Sequence, residues 1–278
     1  MIGALPQTPK YFPKDETMTP ETEVELAEAI SDAAGPLCIE GGGSRGLAVA
    51  GDTLSLRKLS GVELYERGAL TLVARAGTPV AEVEALLASE NQRLAFEPMD
   101  HRGLLGTQGT PTLGGVIAAN VSGPRRIQTG AARDHLLGVR LVDGAGQIIK
   151  NGGRVMKNVT GYDLVKLMCG AHGSLGVLSE VSLKVLPVAE AVQTVAVEGV
   201  ELATAVSAMS AALGSPYDVT GAAYDPQRQV ALIRVEGFEA SASYRAEQLV
   251  AALGRYGATR LVEGSGALWQ GIRDVADI

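Results

Sequence analysis

Leu26, Ala27, Ile30, Ala33 and Ala34 recur at helical spacing within residues 20–34, which predicts an amphipathic helix. Thr19 is placed to cap it, Pro20 suits its first turn, and Gly35-Pro36 ends it. LCIE then predicts a short buried strand, and the run GGGSRG at residues 41–46 follows at once. TLSL alternates as a strand does, and LSGVELY continues the chain. LTLVARAG, residues 70–77, predicts another strand. TPVAEVEALLASENQ predicts a second helix opened by Thr78-Pro79, with Val80, Val83 and Leu87 on one face, and LAFEP closes the unit. Two helix–strand units in the first hundred residues indicate an α/β arrangement.

Further on, Gly114-Gly115 precede a short apolar run, then Asn120 and Gly123. LGVRLV and QIIK flank DGAG, a β-hairpin pattern. A short helix is expected around Tyr162–Met168, then a glycine-punctuated loop and a long strand into Pro187. From residue 188 the pattern changes. AVQTVAVEG predicts a strand, ELATAVSAMSAALG a helix, DVTGAAYDP and QVALIRVEG a hairpin around Pro226, SASYRAEQLVAALGRYG a helix and ATRLVEG a strand. That order is the split βαβ arrangement. ALWQGIRDVADI begins one more helix, whose apolar Leu268, Trp269 and Ile272 are expected to lack full cover.

Residues 41–46 satisfy the letters of the G-x-G-x-x-G dinucleotide fingerprint. A Rossmann loop must open a helix, whose N-terminus holds the pyrophosphate. Here LAVAG is cut by Gly51 and a strand follows, so Glu63, at the spacing of a ribose acid, lacks its intervening helix. A Walker loop fails as well, because no Gly-Lys-Ser/Thr ending is present. What remains is strand, glycine loop, strand. Successive N–H groups in such a loop can form an anion-binding nest, and a turn that binds nothing has the same letters.

The 278 residues carry a formal charge of −7, and Arg125-Arg126 is only a pair, which argues against a nucleic-acid partner. Cys38 and Cys169 lie far apart in apolar runs and are expected as buried free thiols; no cysteine-held zinc or iron–sulfur site is expected. The N-terminal twenty residues lack the pattern of a signal peptide. The longest apolar stretch, near residues 191–213, carries Glu198 and Glu201, so no spanning helix is expected.

PLCIEGGGS, TPTLGGVIAANVSGP, RDHLLGVRLVDGAG and GYDLVKLMCGAHGSLGVLSEVSLKVLP, in this order, resemble the FAD-binding domain of the vanillyl-alcohol oxidase/p-cresol methylhydroxylase superfamily. Within it the wording is most similar to the FAD-binding subunits of bacterial glycolate oxidases. The resemblance implies an α+β chain: a two-subdomain FAD-binding domain of the p-cresol methylhydroxylase type over residues 1–187, then a ferredoxin-like (split βαβ) cap domain over residues 188–278. Relatives are longer, so the cap is expected to be incomplete, without the part that returns to the flavin domain.

The same resemblance implies site residues. Ile39, Glu40, Gly41, Gly42, Gly43, Ser44, Arg45 and Gly46 would wrap the pyrophosphate of FAD. Pro111, Thr112, Leu113, Gly114 and Gly115 would line a second wall, with Asn120 and Gly123 near the phosphates and ribose. Gly176 and Val177 would present main chain to the adenine or ring edge. With Gly43-Ser44-Arg45 where some relatives carry a linking histidine, FAD is expected to be non-covalent. Glu40 is expected to face away from the diphosphate or to bond Arg45.

The implied function is an FAD-binding subunit of a complex oxidising a 2-hydroxy acid, glycolate, to glyoxylate. Its partners would be a second flavoprotein subunit and an iron–sulfur subunit. The implied location is cytoplasmic, or peripheral on the inner face of the cell membrane through those partners. The alternatives are a stand-alone D-lactate-type dehydrogenase and a scaffold that has lost its flavin. The H-x-G-D-G-N-x-H segment of the D-2-hydroxy-acid dehydrogenases is absent, and no catalytic residue is assigned. Of His101, His135 and His172, His135 is expected to pack. Arg125, Arg126, Arg133 and Lys157 are candidate anion contacts, with surface salt bridging the expected fate of each.

Overall fold

Three parallel strands carry the glycine run. In a computed structural model describing residues 17–46, 49–155 and 161–276, these are β1 (Thr17–Met18), β2 (Leu37–Glu40) and β3 (Asp52–Ser55), in the order β1-β3-β2. Helix α1 (Glu23–Ser31) lies between β1 and β2. It starts at Thr22, not Thr19, because the Thr22 hydroxyl accepts from Glu25 N at 3.2 Å while the Glu25 carboxylate accepts from Glu21 N at 2.8 Å. Two otherwise orphaned donors are satisfied there at once. Leu26 and Ile30 are buried as expected, whereas Ala33 and Ala34 fall beyond the helix end.

The second sheet is built from β4 (Val62–Glu66), β5 (Thr71–Arg75), β7 (Leu136–Val142), β8 (Ile148–Gly152) and β9 (Val177–Lys184), in the order β4-β5-β9-β7-β8. Every pairing in it is antiparallel, so the local α/β pattern gives way to the α+β class. A two-stranded ribbon pairs β6 (Gln92–Arg93) with β10 (Leu186–Pro187). Helix α2 (Val80–Ala88) buries Val80, Val83 and Leu87, the face its spacing predicts. Short helices follow: α3 (Arg102–Leu105), α4 (Leu113–Ala118), α5 (Arg126–Thr129), α6 (Ala132–His135) and α7 (Leu164–Met168). Of these, α4 packs on β5 and β9 through Leu113 and Ile117, both fully buried.

The remaining chain forms β11 (Ala191–Glu198), α8 (Leu202–Leu213), β12 (Val219–Asp225), β13 (Val230–Gly237), α9 (Glu239–Leu253), β14 (Ala258–Val262) and α10 (Ser265–Asp274). The antiparallel sheet order is β12-β13-β11-β14, the split βαβ order. Val195 and Val197 face α8 and α9, burying Ala205, Ala208, Ala246 and Leu249 in a core separate from that of the first unit. Ala196 points the other way and meets Trp269 of α10, as strand alternation requires.

Trp269 is therefore covered, contrary to expectation, at 4% exposed with its indole N–H donating to Thr194 Oγ1 at 2.8 Å, whereas Leu268 and Ile272 are only half-buried, as expected. The end of α10 also meets the first unit. Asp274 Oδ1 accepts from Asp100 N at 2.9 Å.

A buried charge cluster joins the two units. Arg125 and Glu97 come from the first, Arg234 and Glu236 from β13. The Glu97 carboxylate accepts two Arg234 bonds at 2.9 Å each and two from Arg125, its guanidinium at 3.1 Å and its backbone N–H at 2.8 Å. Arg125 also donates to Glu236 at 2.6 Å, and Arg93 to Glu236 at 3.1 Å. The Arg234 guanidinium lies 4.5 Å over the Trp269 ring. Arg125 is only 3% exposed, so it is neither a surface salt bridge nor an anion contact.

Removing one member of such a cluster leaves buried cations unpaired, and Glu97→Ala is expected to cost about 3–5 kcal/mol in denaturant unfolding. Burial pushes the Glu97 carboxyl up, but its bonds and charges with Arg234 and Arg125 outweigh this and hold it below the ordinary value. A lowered folded-state value gives stability present above about pH 4.3 and lost as pH falls through the folded value. The gap in unfolding free energy between wild type and Glu97→Gln is expected to narrow below that pH.

Candidate functional site

The chain leaves β2 at Glu40, turns through residues 41–46 and returns in parallel as β3. No helix intervenes among the described residues, which rules out Rossmann geometry. Gly43 and Gly46 take φ of 71° and 60°, values that favour glycine. The loop lies against residues 107–112. Thr110 N donates to Gly42 O at 2.9 Å, and Thr107 Oγ1 to Ser44 O at 2.5 Å. The approach at Gly42 is so close that a Cβ there would sit 1.6 Å from Thr110 O.

These two segments wall a cavity of about 380 Å³, within the usual range for ligand sites. From Gly41 to Gly46 no backbone N–H donates to another described residue. On the second wall, by contrast, the first amides of α4 are already engaged. Leu113 N donates to Thr78 O at 2.9 Å, Gly114 N to Ala76 O at 2.7 Å, and Gly115 N to Thr112 Oγ1 at 3.4 Å. Among the described residues, an anion in the cavity therefore finds a run of free main-chain donors on the glycine loop and none on the first amides of α4. A run of uncommitted amides beside a cavity of this size fits the diphosphate of FAD.

Ile39, Glu40, residues 41–46, Pro111, Thr112, Gly114, Gly115, Gly176 and Val177 all line the cavity. Three expected residues do not. Leu113 is in the core, 0% exposed. Asn120 turns its Oδ1 to Arg133 N at 2.9 Å, and Gly123 lies against Glu97 and Arg273 at the junction between the units. The Glu40 carboxylate pairs with Arg57 Nη2 at 3.0 Å; of the two expectations for it, facing away from the diphosphate or bonding Arg45, the bond to Arg45 is not made. Arg45 instead donates across the cavity to the Gly115 carbonyl.

Sequence reasoning did not place Cys38, Leu56, Ala76, Met99 and Met168 on the wall. Thr112 as an N-cap with Leu113 behind it was the available signal for α4, masked by two glycines that disfavour helix.

Of the histidines, His101 and His172 line the cavity. Burial and the Arg45 charge hold the His101 imidazole below its ordinary value, so it is a neutral proton acceptor at pH 7. His135 packs, its ring 5.5 Å from Phe96. Arg126 is exposed, Arg133 donates to Cys169 O at 2.5 Å, and Lys157 lies outside the described residues. Both cysteines are free and buried, and burial pushes the Cys169 thiol up to about 11.

The family described as FAD binding domain matches residues 15–152. The chain belongs to this FAD-binding family. It is 38% identical over 253 residues to glycolate oxidase subunit GlcE of Escherichia coli (strain K12), covering 90% of this chain and 67% of that one. It is 32% identical over 168 residues to a D-2-hydroxyglutarate dehydrogenase of Xanthomonas citri pv. viticola, covering 58% of this chain and 34% of that one. Among solved structures, an alkyldihydroxyacetonephosphate synthase superposes with a TM-score of 0.72 at 20% identity, over 93% of this chain and 55% of that one. That likeness concerns the fold.

The contact at Gly42 yields a paired prediction. Gly42→Ala is expected to lose at least about 2 kcal/mol in chemical denaturation, because backbone must move. At Gly115 a Cβ would meet the mobile end of Arg45 at 3.2 Å, so Gly115→Ala is expected to change stability by less than about 1 kcal/mol.

Proposed function

We propose that this chain is the FAD-carrying subunit of a complex that oxidises a 2-hydroxy acid, glycolate, and passes the electrons to partner subunits. The observation that carries this reading is the row of amides from Gly41 to Gly46, on a cavity wall, that donate to no described residue. Similarity to a glycolate oxidase subunit over 90% of the chain supports the substrate class and the complex. In this reading residues 1–187 hold the cofactor and residues 188–278 form the cap. The separate cores on either side of residues 185–195 support that division. The partners are a second flavoprotein subunit and an iron–sulfur subunit.

Bound FAD would supply the two-electron acceptor. The chain's own part is positional. The loop amides bind the diphosphate, while Leu56, Ala76, Val116 and Met168 give the cavity an apolar lining that excludes water. Attachment is non-covalent in this reading, since residues 41–46 contain no histidine, cysteine or tyrosine. Among the described residues no helix is long and apolar enough to cross a membrane. We place the protein in the cytoplasm, with any membrane contact made through partners.

The likeness to a D-2-hydroxyglutarate dehydrogenase favours a second reading, a stand-alone dehydrogenase. Dye reduction with D-lactate or glycolate by the isolated chain would select it.

FAD at a hundredfold its Kd is expected to stabilise the chain by about 2.7 kcal/mol. A thermal melt checks this, and a melt unmoved by FAD would leave the scaffold role. After acid precipitation the flavin absorbance is expected in the supernatant. Flavin retained in the pellet would instead mark a covalent bond to a wall residue such as His101, His172 or Cys38.

A further inference from the structure

Arg45 stands in the middle of the glycine loop, between two residues with left-handed backbone, and its guanidinium crosses the cavity to the Gly115 carbonyl on the opposite wall. The side chain is partly buried, and burial is the cause that lowers its proton affinity, with no carboxylate offsetting it. The nearby acids are engaged elsewhere: Glu40 with Arg57 at 3.0 Å, Asp100 with Arg102 at 2.7 Å. Among the described residues this half-buried cation is held by one neutral carbonyl, has no carboxylate beside it and leaves most of its five donors unused. It does so beside loop amides that are also uncommitted, in a chain whose formal charge is −7. Its field already reaches His101, whose imidazole it helps keep neutral.

We propose that Arg45 is a latch between the two walls, tied to the Gly115 carbonyl, whose guanidinium serves as the counter-ion of the diphosphate. The proposal rests on the FAD reading and adds a residue-specific electrostatic role to it. The backbone nest supplies partial charges fixed in place, and Arg45 is the one arginine or lysine among the described residues lining the cavity. A guanidinium suits this because its planar fork can engage two phosphate oxygens at once, which a lysine cannot.

The test compares wild type, Arg45→Gln and Arg45→Lys by titration with FAD, ADP, adenosine and riboflavin at two salt concentrations. Far-ultraviolet circular dichroism checks that each variant is folded. Arg45→Gln is expected to weaken FAD and ADP by about ten- to a hundredfold, since a charged hydrogen bond is lost. Its salt dependence should be shallower, Arg45→Lys should recover part of the loss, and adenosine and riboflavin, which lack phosphate, should bind equally to all three. Unchanged FAD and ADP affinity in folded Arg45→Gln overturns the latch and leaves the FAD reading standing. Equal weakening of riboflavin and FAD also overturns it, by showing a merely structural role. Wild type that binds neither FAD nor ADP overturns both.

Discussion

The contact between Gly42 and Thr110 is the constraint on which the site depends. Main chain meets main chain there with no side chain between, and Thr110 N donates to Gly42 O at 2.9 Å. That contact fixes the glycine loop against the second wall. It also consumes a carbonyl of the loop and none of its amides. The imbalance is what makes the cavity a site for an anion: the donors from Gly41 to Gly46 have no described acceptor, whereas those at the start of α4 are paired internally. Of residues 41–46 only Gly42 is buried and Gly46 is exposed, so solvent can serve the donors until an anion replaces it.

Elements set by local periodicity were legible in the sequence. The α2 face of Val80, Val83 and Leu87, the hairpin from β7 to β8, and the whole order from β11 to β14 follow from spacing and turn residues. The glycine loop was legible for a different reason: Gly51 and the alternating TLSL forbid the helix a Rossmann loop needs. Less legible was anything decided by distant partners. Nothing near Arg125 in the sequence announces Glu97 and Glu236, and nothing near Glu40 announces Arg57. Helix α4 was hidden because tertiary packing of Leu113 and Ile117 overrides the poor propensity of Gly114-Gly115. Asn120 and Gly123 sit close in sequence to the wall but are turned toward the interior and the junction.

The junction between the units has its own logic. Three guanidiniums and two carboxylates converge there, with Arg125, Arg234 and Glu236 withdrawn from water, so that loss of one member leaves buried partners unpaired. Trp269 closes it from the other side through its ring contact with Arg234 and its bond to Thr194. The second unit is thereby held against residues 93–125, the segment that contains the cavity's second wall. Sequence similarity to a glycolate oxidase subunit and fold similarity to an alkyldihydroxyacetonephosphate synthase both extend across this junction, covering 90% and 93% of the chain.

Nitrogen-15 amide spectra recorded as FAD is added test the central claim most directly. The account predicts that the largest shifts fall on residues 41–46, because their N–H groups exchange solvent for phosphate oxygen, while amides of α8 and α9 scarcely move. Saturable FAD binding with residues 41–46 unshifted would contradict it.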